Sequence, residues 1–121
     1  MLNIESIREY CMNKKGVTES FPFDEETLVF KVMNKMFCLA SITAPISINL
    51  KCNPETAIEL REKYDAVIPG YHMNKKHWNT IMIDEIRNTN LIWEWIDNSY
   101  NLITKSLTKK DKLELQKLQD D

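Results

Sequence analysis

The stretch that decides the fold is Thr27-Leu28-Val29-Phe30-Lys31-Val32-Met33-Asn34-Lys35-Met36-Phe37-Cys38-Leu39-Ala40-Ser41-Ile42-Thr43-Ala44-Pro45-Ile46-Ser47-Ile48-Asn49-Leu50-Lys51-Cys52. Its first two apolar runs flank Asn34-Lys35, which reads as a two-residue hairpin turn. That register pairs Val32 with Phe37 and Phe30 with Leu39, so large side chains share one face. Thr43-Ala44-Pro45 turns the chain into a third run with clean alternation: Ile46, Ile48 and Leu50 on one side, Ser47, Asn49 and Lys51 on the other. Three antiparallel strands with one buried and one wet face follow.

Outward from this stretch the signals change period. Upstream, Ile4, Ile7 and Cys11 recur at one-face helical spacing over about Asn3 to Lys14. Asn3 is placed to cap that helix and Gly16 to end it in a left-handed conformation. Thr18 to Asp24 reads as a loop, because Pro22 and the polar residues deny it a period; Phe21 and Phe23 are expected to tuck under the domain as anchors. Downstream, Asn53-Pro54-Glu55 opens a helix to about Tyr64, with Asn at the cap, Pro at the first position and acid in the first turn. A short strand over 65–70, broken by Pro69-Gly70, and a fifth over Trp78 to Ile83 complete the sheet. The stripe Ile92, Trp95, Ile96, Ser99 and Ile103 predicts a long helix over about 90–107, lying across it. Thr108-Lys109-Lys110-Asp111 resembles a capping box before a polar final helix, with Leu115 and Leu118 as anchors.

The order α-β-β-β-α-β-β-α marks a two-layer α+β domain, an antiparallel sheet with helices on one face. Residues 1–107 form the domain and 108–121 a polar helical tail. At 121 residues the chain is of single-domain length, and it can bury enough surface to need no metal or disulfide staple. With 43% hydrophobic residues and a formal net charge of -2 it is too apolar and too little charged to be disordered. No apolar run approaches the roughly 20 residues of a membrane helix. The opening Met1-Leu2-Asn3-Ile4-Glu5 carries acid where a signal peptide wants base, so a cytoplasmic protein is expected. Cys11, Cys38 and Cys52 are widely spaced and odd in number, which fits core residues better than disulfides or a zinc site.

Parts for catalysis are missing. Gly16 and Gly70 are the only glycines, so no phosphate-cradling or dinucleotide loop can be written. His72 and His77, the only histidines, do not share a helical face and have no cysteine beside them, which argues against a metal centre. Cys38 and Cys52 sit in apolar strands where a thiol is inert. No cofactor and no enzymatic activity are expected.

One stretch does carry a chemical signal. From Val67 to Ile83 there is no acidic residue, and within it lies Tyr71-His72-Met73-Asn74-Lys75-Lys76-His77-Trp78. Adjacent lysines, amide donors on both sides and rings at both ends are what a contact to a phosphate backbone uses. Lys75 and Lys76 would touch phosphates, Asn74 would position them, and His72 and His77 would add charge as pH falls. Tyr71 or Trp78 would stack or brace. Lys51 would extend the basic surface, with Lys31 and Lys35 beyond it. The plain alternative is a solvated loop whose lysines serve solubility.

At this loop the chain resembles a known family. Val67-Ile68-Pro69-Gly70-Tyr71-His72-Met73-Asn74-Lys75-Lys76-His77-Trp78-Asn79-Thr80 is similar to the signature of the MmcQ/YjbR family, small bacterial proteins usually described as DNA-binding. The likeness takes in Gly16 to Asp24, Lys35-Met36-Phe37, Ile48 to Cys52 and Ser99-Tyr100, leaving about Thr108 to Asp121 outside. It implies a two-layer α+β fold comparable to secretion chaperones and a DNA-binding role that rests on fold analogy. It carries no catalytic residue over. Family members tend to have Pro where Lys15 stands and Gly where Asn34 stands; Asn tolerates the positive φ of such a turn. The expected partner is therefore DNA, with a protein or peptide as the alternative and no membrane.

Overall fold

In the computed structural model, which describes residues 2–70 and 73–118, Asn3 caps α1 (Ile4–Met12) by accepting from the Ser6 N–H at 2.9 Å. Gly16, at φ 74, turns the chain into β1 (Val17–Ser20). β2 (Thr27–Val32), β3 (Lys35–Ser41) and β4 (Ser47–Lys51) follow, then α2 (Pro54–Lys63), β5 (Val67–Pro69) and β6 (Trp78–Met82). A 3-10 turn at Ile83–Glu85 leads into α3 (Thr89–Lys105) and α4 (Lys109–Lys117). The caps read from the sequence are in place: Asn53 accepts from Glu55 N–H at 3.0 Å, and Thr108 from Asp111 N–H at 3.1 Å.

The sheet has six strands in the order β1-β2-β3-β4-β6-β5, each neighbour antiparallel. Helices α1 and α3 cover β1 to β4 while α2 packs on β5 and β6. Phe30, Phe37, Ile48, Ile81, Ile92 and Ile96 fill the space between the layers, each essentially inaccessible. Fully burying an aliphatic or aromatic side chain is worth about 1.5–3 kcal/mol, so this interlayer core dominates stability. α1 is tied to α3 by Asp97, which accepts from the Tyr10 hydroxyl at 2.7 Å and pairs with Lys14. Burial first, then the bond to Asp97, pushes the Tyr10 phenol up to about 12.

The α+β, two-layer architecture is as the sequence predicts, with four local departures. Val17–Ser20 is an edge strand rather than a loop, its Glu19 turned toward the helices and held by Arg8 at 2.7 Å. Phe21 and Phe23 do not tuck under; they are 48% and 64% exposed. The β2–β3 turn is Met33-Asn34, with φ of 49 and 68, the double positive φ that matches strand twist in a two-residue hairpin. Pairing therefore runs Val32↔Lys35 and, beyond a bulge, Phe30↔Cys38 and Val29↔Leu39. Finally, the outer face is not uniformly wet. Val29, Leu39 and Trp78 form a second buried cluster there, with Met36 and Met73 packed against it.

The bulge has a partner in the helix layer. It leaves Phe37 and Cys38 both buried in the interlayer core, and the hydroxyl of buried Ser99 fills the gap it opens. Ser99 Oγ donates to the Phe37 carbonyl at 2.6 Å and accepts from the Lys51 N–H at 2.9 Å. At the far end of the chain α4 folds back on the α1–β1 junction: Leu115 packs against the core and Lys15 Nζ donates to the Gln116 carbonyl at 3.1 Å.

Candidate nucleic-acid interface

The basic loop joins β5 to β6 and is built from its own backbone polar groups. Gly70 N–H donates to the Trp78 carbonyl at 2.8 Å, an approach that leaves no space for a Cβ, which would lie 2.8 Å from Trp78 Cβ. The Asn74 carbonyl accepts from His77 N–H at 3.2 Å and Trp78 N–H at 2.9 Å. The Asn74 side chain accepts from Lys76 N–H at 2.9 Å, an Asx turn that fixes where Lys76 departs. Cys52 N–H donates to the His77 carbonyl at 2.8 Å, fastening the loop to the end of β4.

A residue outside the loop completes it. Arg61, in the last turn of α2, donates through Nε to Asn79 Oδ1 at 2.6 Å and through Nη2 to the carbonyls of Lys75 and Trp78. Asn79, itself buried, passes its amide on to the Ala57 carbonyl at 3.2 Å. Arg61 lies on a helix that reads as amphipathic from its spacing alone. Only the convergence of three acceptors in space marks it, and no sequence signal does.

The predicted contact residues fall in different settings. Lys76 and Asn74 are exposed at the loop tip. Lys75 is exposed too, but its Nζ turns back to the Gly70 carbonyl at 3.1 Å. His77 is half-buried, and Trp78, 8% exposed, packs with Val29 and Leu39, so it braces the loop. Tyr71 and His72 lie outside the described residues. Lys51 stands directly opposite Trp78 on the outer face of the sheet. Lys31, opposite Thr18 and Met36, and Lys35, opposite Val32, lie at this same end of the sheet.

Five lysines thus gather at one end of the sheet, Lys31 and Lys51 on its open face, Lys75 and Lys76 in the adjoining loop, and Lys35, opposite buried Val32, on the helix side of that end. The ion pairs among the described residues are Arg8–Glu19, Lys14–Asp97 and Lys117–Glu114, and none engages Lys31, Lys35, Lys51, Lys75 or Lys76. Glu19, the carboxylate within β1, faces the helices and is paired with Arg8, and the other carboxylates that adjoin the strand ends lie away from these lysines. Asp24, Glu25 and Glu26 precede β2 at its opposite end, and Asp84 and Glu85 follow the opposite end of β6. Between the two ends the outer face is concave, an open hollow of about 650 Å³ floored by Asn49 and Thr80 and walled by Leu39, Ile68 and Met73. Thr80 Oγ1 donates to Asn49 Oδ1 at 2.5 Å. Asp24, at the hollow's far rim, accepts from the N–H groups of Glu26 and Thr27, which hold its carboxyl below the usual carboxylate range.

The remaining reactive groups are quiet. Burial pushes the Cys52 thiol up against the opposing pull of Arg61, and the free thiol of Cys38, hydrogen-bonded to that of Cys11 and buried, is raised well above the ordinary thiol range. Both are held as thiols rather than thiolates. Among the described residues no group of three or more His, Cys, Asp or Glu side chains is placed to hold a metal, and no helix is long and apolar enough to cross a membrane.

Comparison with known proteins agrees with this architecture. The chain is 34% identical to YbdF of Escherichia coli O157:H7 over 109 residues, covering 89% of each. It is 29% identical to YjbR of Escherichia coli K12 over 112 residues, covering 92% of this chain and 95% of that one. Its structure resembles the crystal structure of Deinococcus radiodurans protein DR2400, of domain family DUF419, with a TM-score of 0.89 and 40% identity, covering 100% of this chain and 92% of the other. A Pseudomonas syringae protein aligns with a TM-score of 0.73 at 25% identity over 84% of this chain and 98% of its own. Residues 12–102, from the end of α1 to the last turns of α3, match the YjbR family model, and the chain belongs to the YjbR family.

Proposed function

We propose that the protein is a non-enzymatic nucleic-acid-binding module that holds phosphates at the lysine end of its open sheet face. The observation that carries this reading is the set of lysines at 31, 35, 51, 75 and 76, none in an ion pair among the described residues, on a chain whose formal net charge is -2. Ammonium groups outside ion pairs at one end of an acidic molecule are available for phosphate contact and counterion release. Lys51 and Lys76 are the principal contacts, Lys31 and Lys35 extend the surface, and Lys75 secures the loop through Gly70 while adding charge. With so few cations the binding is weak, largely blind to sequence and steeply dependent on salt. DNA is the expected ligand, as the usual description of the family has it.

Fluorescence anisotropy with a labelled duplex at low salt tests this. Wild type should bind, and Lys51→Ala/Lys76→Ala should flatten the log–log salt slope by about 1.8, or about 0.9 for each phosphate no longer neutralised. Superimposable titrations of the two proteins would remove this end of the sheet from the mechanism.

A second reading, a protein- or peptide-binding module, is favoured by the exposed Phe21 and Phe23 beside the free edge β1. Pull-down with and without nuclease separates the two, since partners that survive nuclease belong to this second reading.

A further inference from the structure

We propose that the hollow beside the lysines receives an unstacked base, so that this face takes single-stranded nucleic acid in preference to duplex. The inference rests on the nucleic-acid reading and deepens it. Four observations carry it.

The hollow is continuous with the phosphate end. Met73, in the basic loop, forms part of its wall, and Asn49 precedes Lys51 by two residues on the same face of β4. Two residues along a strand span about 7 Å, a distance over which one nucleotide can keep its phosphate at Lys51 and its base over Asn49. The hollow's volume of about 650 Å³ lies within the range of small-molecule sites, roughly 300–1,000 Å³. Its lining is mainly apolar, with Leu39, Ile68, Met73 and Met82 beside the hydroxyls of Thr27, Ser41 and Ser47, and its floor carries an oriented amide. Asn49 Oδ1 accepts from Thr80, which turns the Asn49 Nδ2 donor away from Thr80 and leaves it for a base carbonyl or ring nitrogen. Charge then sets direction: lysines draw phosphate to one end, and the Asp24 carboxylate at the other rim repels it.

A duplex can meet the lysines through its phosphates but keeps its bases stacked and paired, out of reach of the hollow. A strand whose bases can splay out fits a concave face with an apolar wall, the arrangement by which sheet surfaces take single-stranded ligands.

Three labelled probes test this by anisotropy at one low salt concentration: a mixed-sequence single strand, a strand of equal length with abasic sugars, and the duplex. The single strand should bind on the order of tenfold more tightly than the abasic strand, the gain of seating one base, and more tightly than the duplex; a duplex that binds as well as the base-bearing strand overturns the inference. Asn49→Leu should bring the single strand down to the abasic affinity while leaving the abasic affinity and its salt slope unchanged. Should that variant fold poorly, Ile68→Ser, at an exposed wall position, should weaken single-strand binding several-fold by the same criterion. Equal affinity for abasic and base-bearing strands overturns the inference yet leaves the phosphate contact standing, and the hollow then belongs to another occupant, such as a peptide. Failure of all three probes to bind overturns the underlying reading itself.

Discussion

Ser99 bears more weight than a serine on a helix stripe ordinarily does. It is fully buried, and its hydroxyl stands where a direct β3–β4 hydrogen bond between Phe37 and Lys51 would otherwise run. Removing it strands a buried carbonyl, which costs about 1–3 kcal/mol, and a part-buried N–H that water can still reach. Ser99→Ala should therefore lower unfolding free energy by about 2 kcal/mol in urea titration, with little change in the m-value. Because Lys51 N–H is one of the two stranded groups, the same variant should also weaken oligonucleotide binding at low salt. The place of Ser99 on the buried stripe was legible in the sequence. Its partners were not, because the gap exists only once the bulge at Phe37 has formed.

Among the elements, α2 has two duties: one face covers β5 and β6, and its last turn holds the basic loop through Arg61. Arg61→Lys keeps the charge but loses the planar fork that reaches three acceptors at once. Loop amides from Met73 to His77 should exchange faster with deuterium, and oligonucleotide affinity should fall several-fold with the salt slope unchanged. A flatter slope would instead make Arg61 a phosphate contact. The elements themselves separate cleanly by legibility. Helices α1, α2 and α3 and strands β4 to β6 follow from period and caps, since their patterns are local. β1 escaped because Val17-Thr18-Glu19-Ser20 has little to bury, and its pairing depends on Val32 and on Arg8 reaching Glu19. The Met33-Asn34 turn escaped because Asn34-Lys35 keeps perfect alternation, whereas the real strand spends one residue on a bulge. The basic loop was visible as composition. Arg61, which holds it in shape, was invisible until α2 and β6 came together.

For the molecule as a whole the issue is placement of charge rather than its total. The chain is formally at -2, and the lysine end works only if its local field outweighs that background. Two double variants separate the possibilities. Lys51→Gln/Lys76→Gln and Lys109→Gln/Lys110→Gln each remove two positive charges, so both proteins stand at -4 (-2 less 2) and repel a polyanion equally at long range. Lys109 and Lys110 are exposed in the first turn of α4, a helix that lies on the α1–β1 junction. If position decides, the first variant should flatten the single-strand salt slope by about 1.4, or about 0.7 for each phosphate contact, and the second should leave it unchanged. Equal flattening by both would assign the affinity to overall charge, and the gathered lysines would then be no more than a solvated sheet end. The comparison is robust to stability effects, because none of the four side chains makes an ion pair among the described residues or is fully buried.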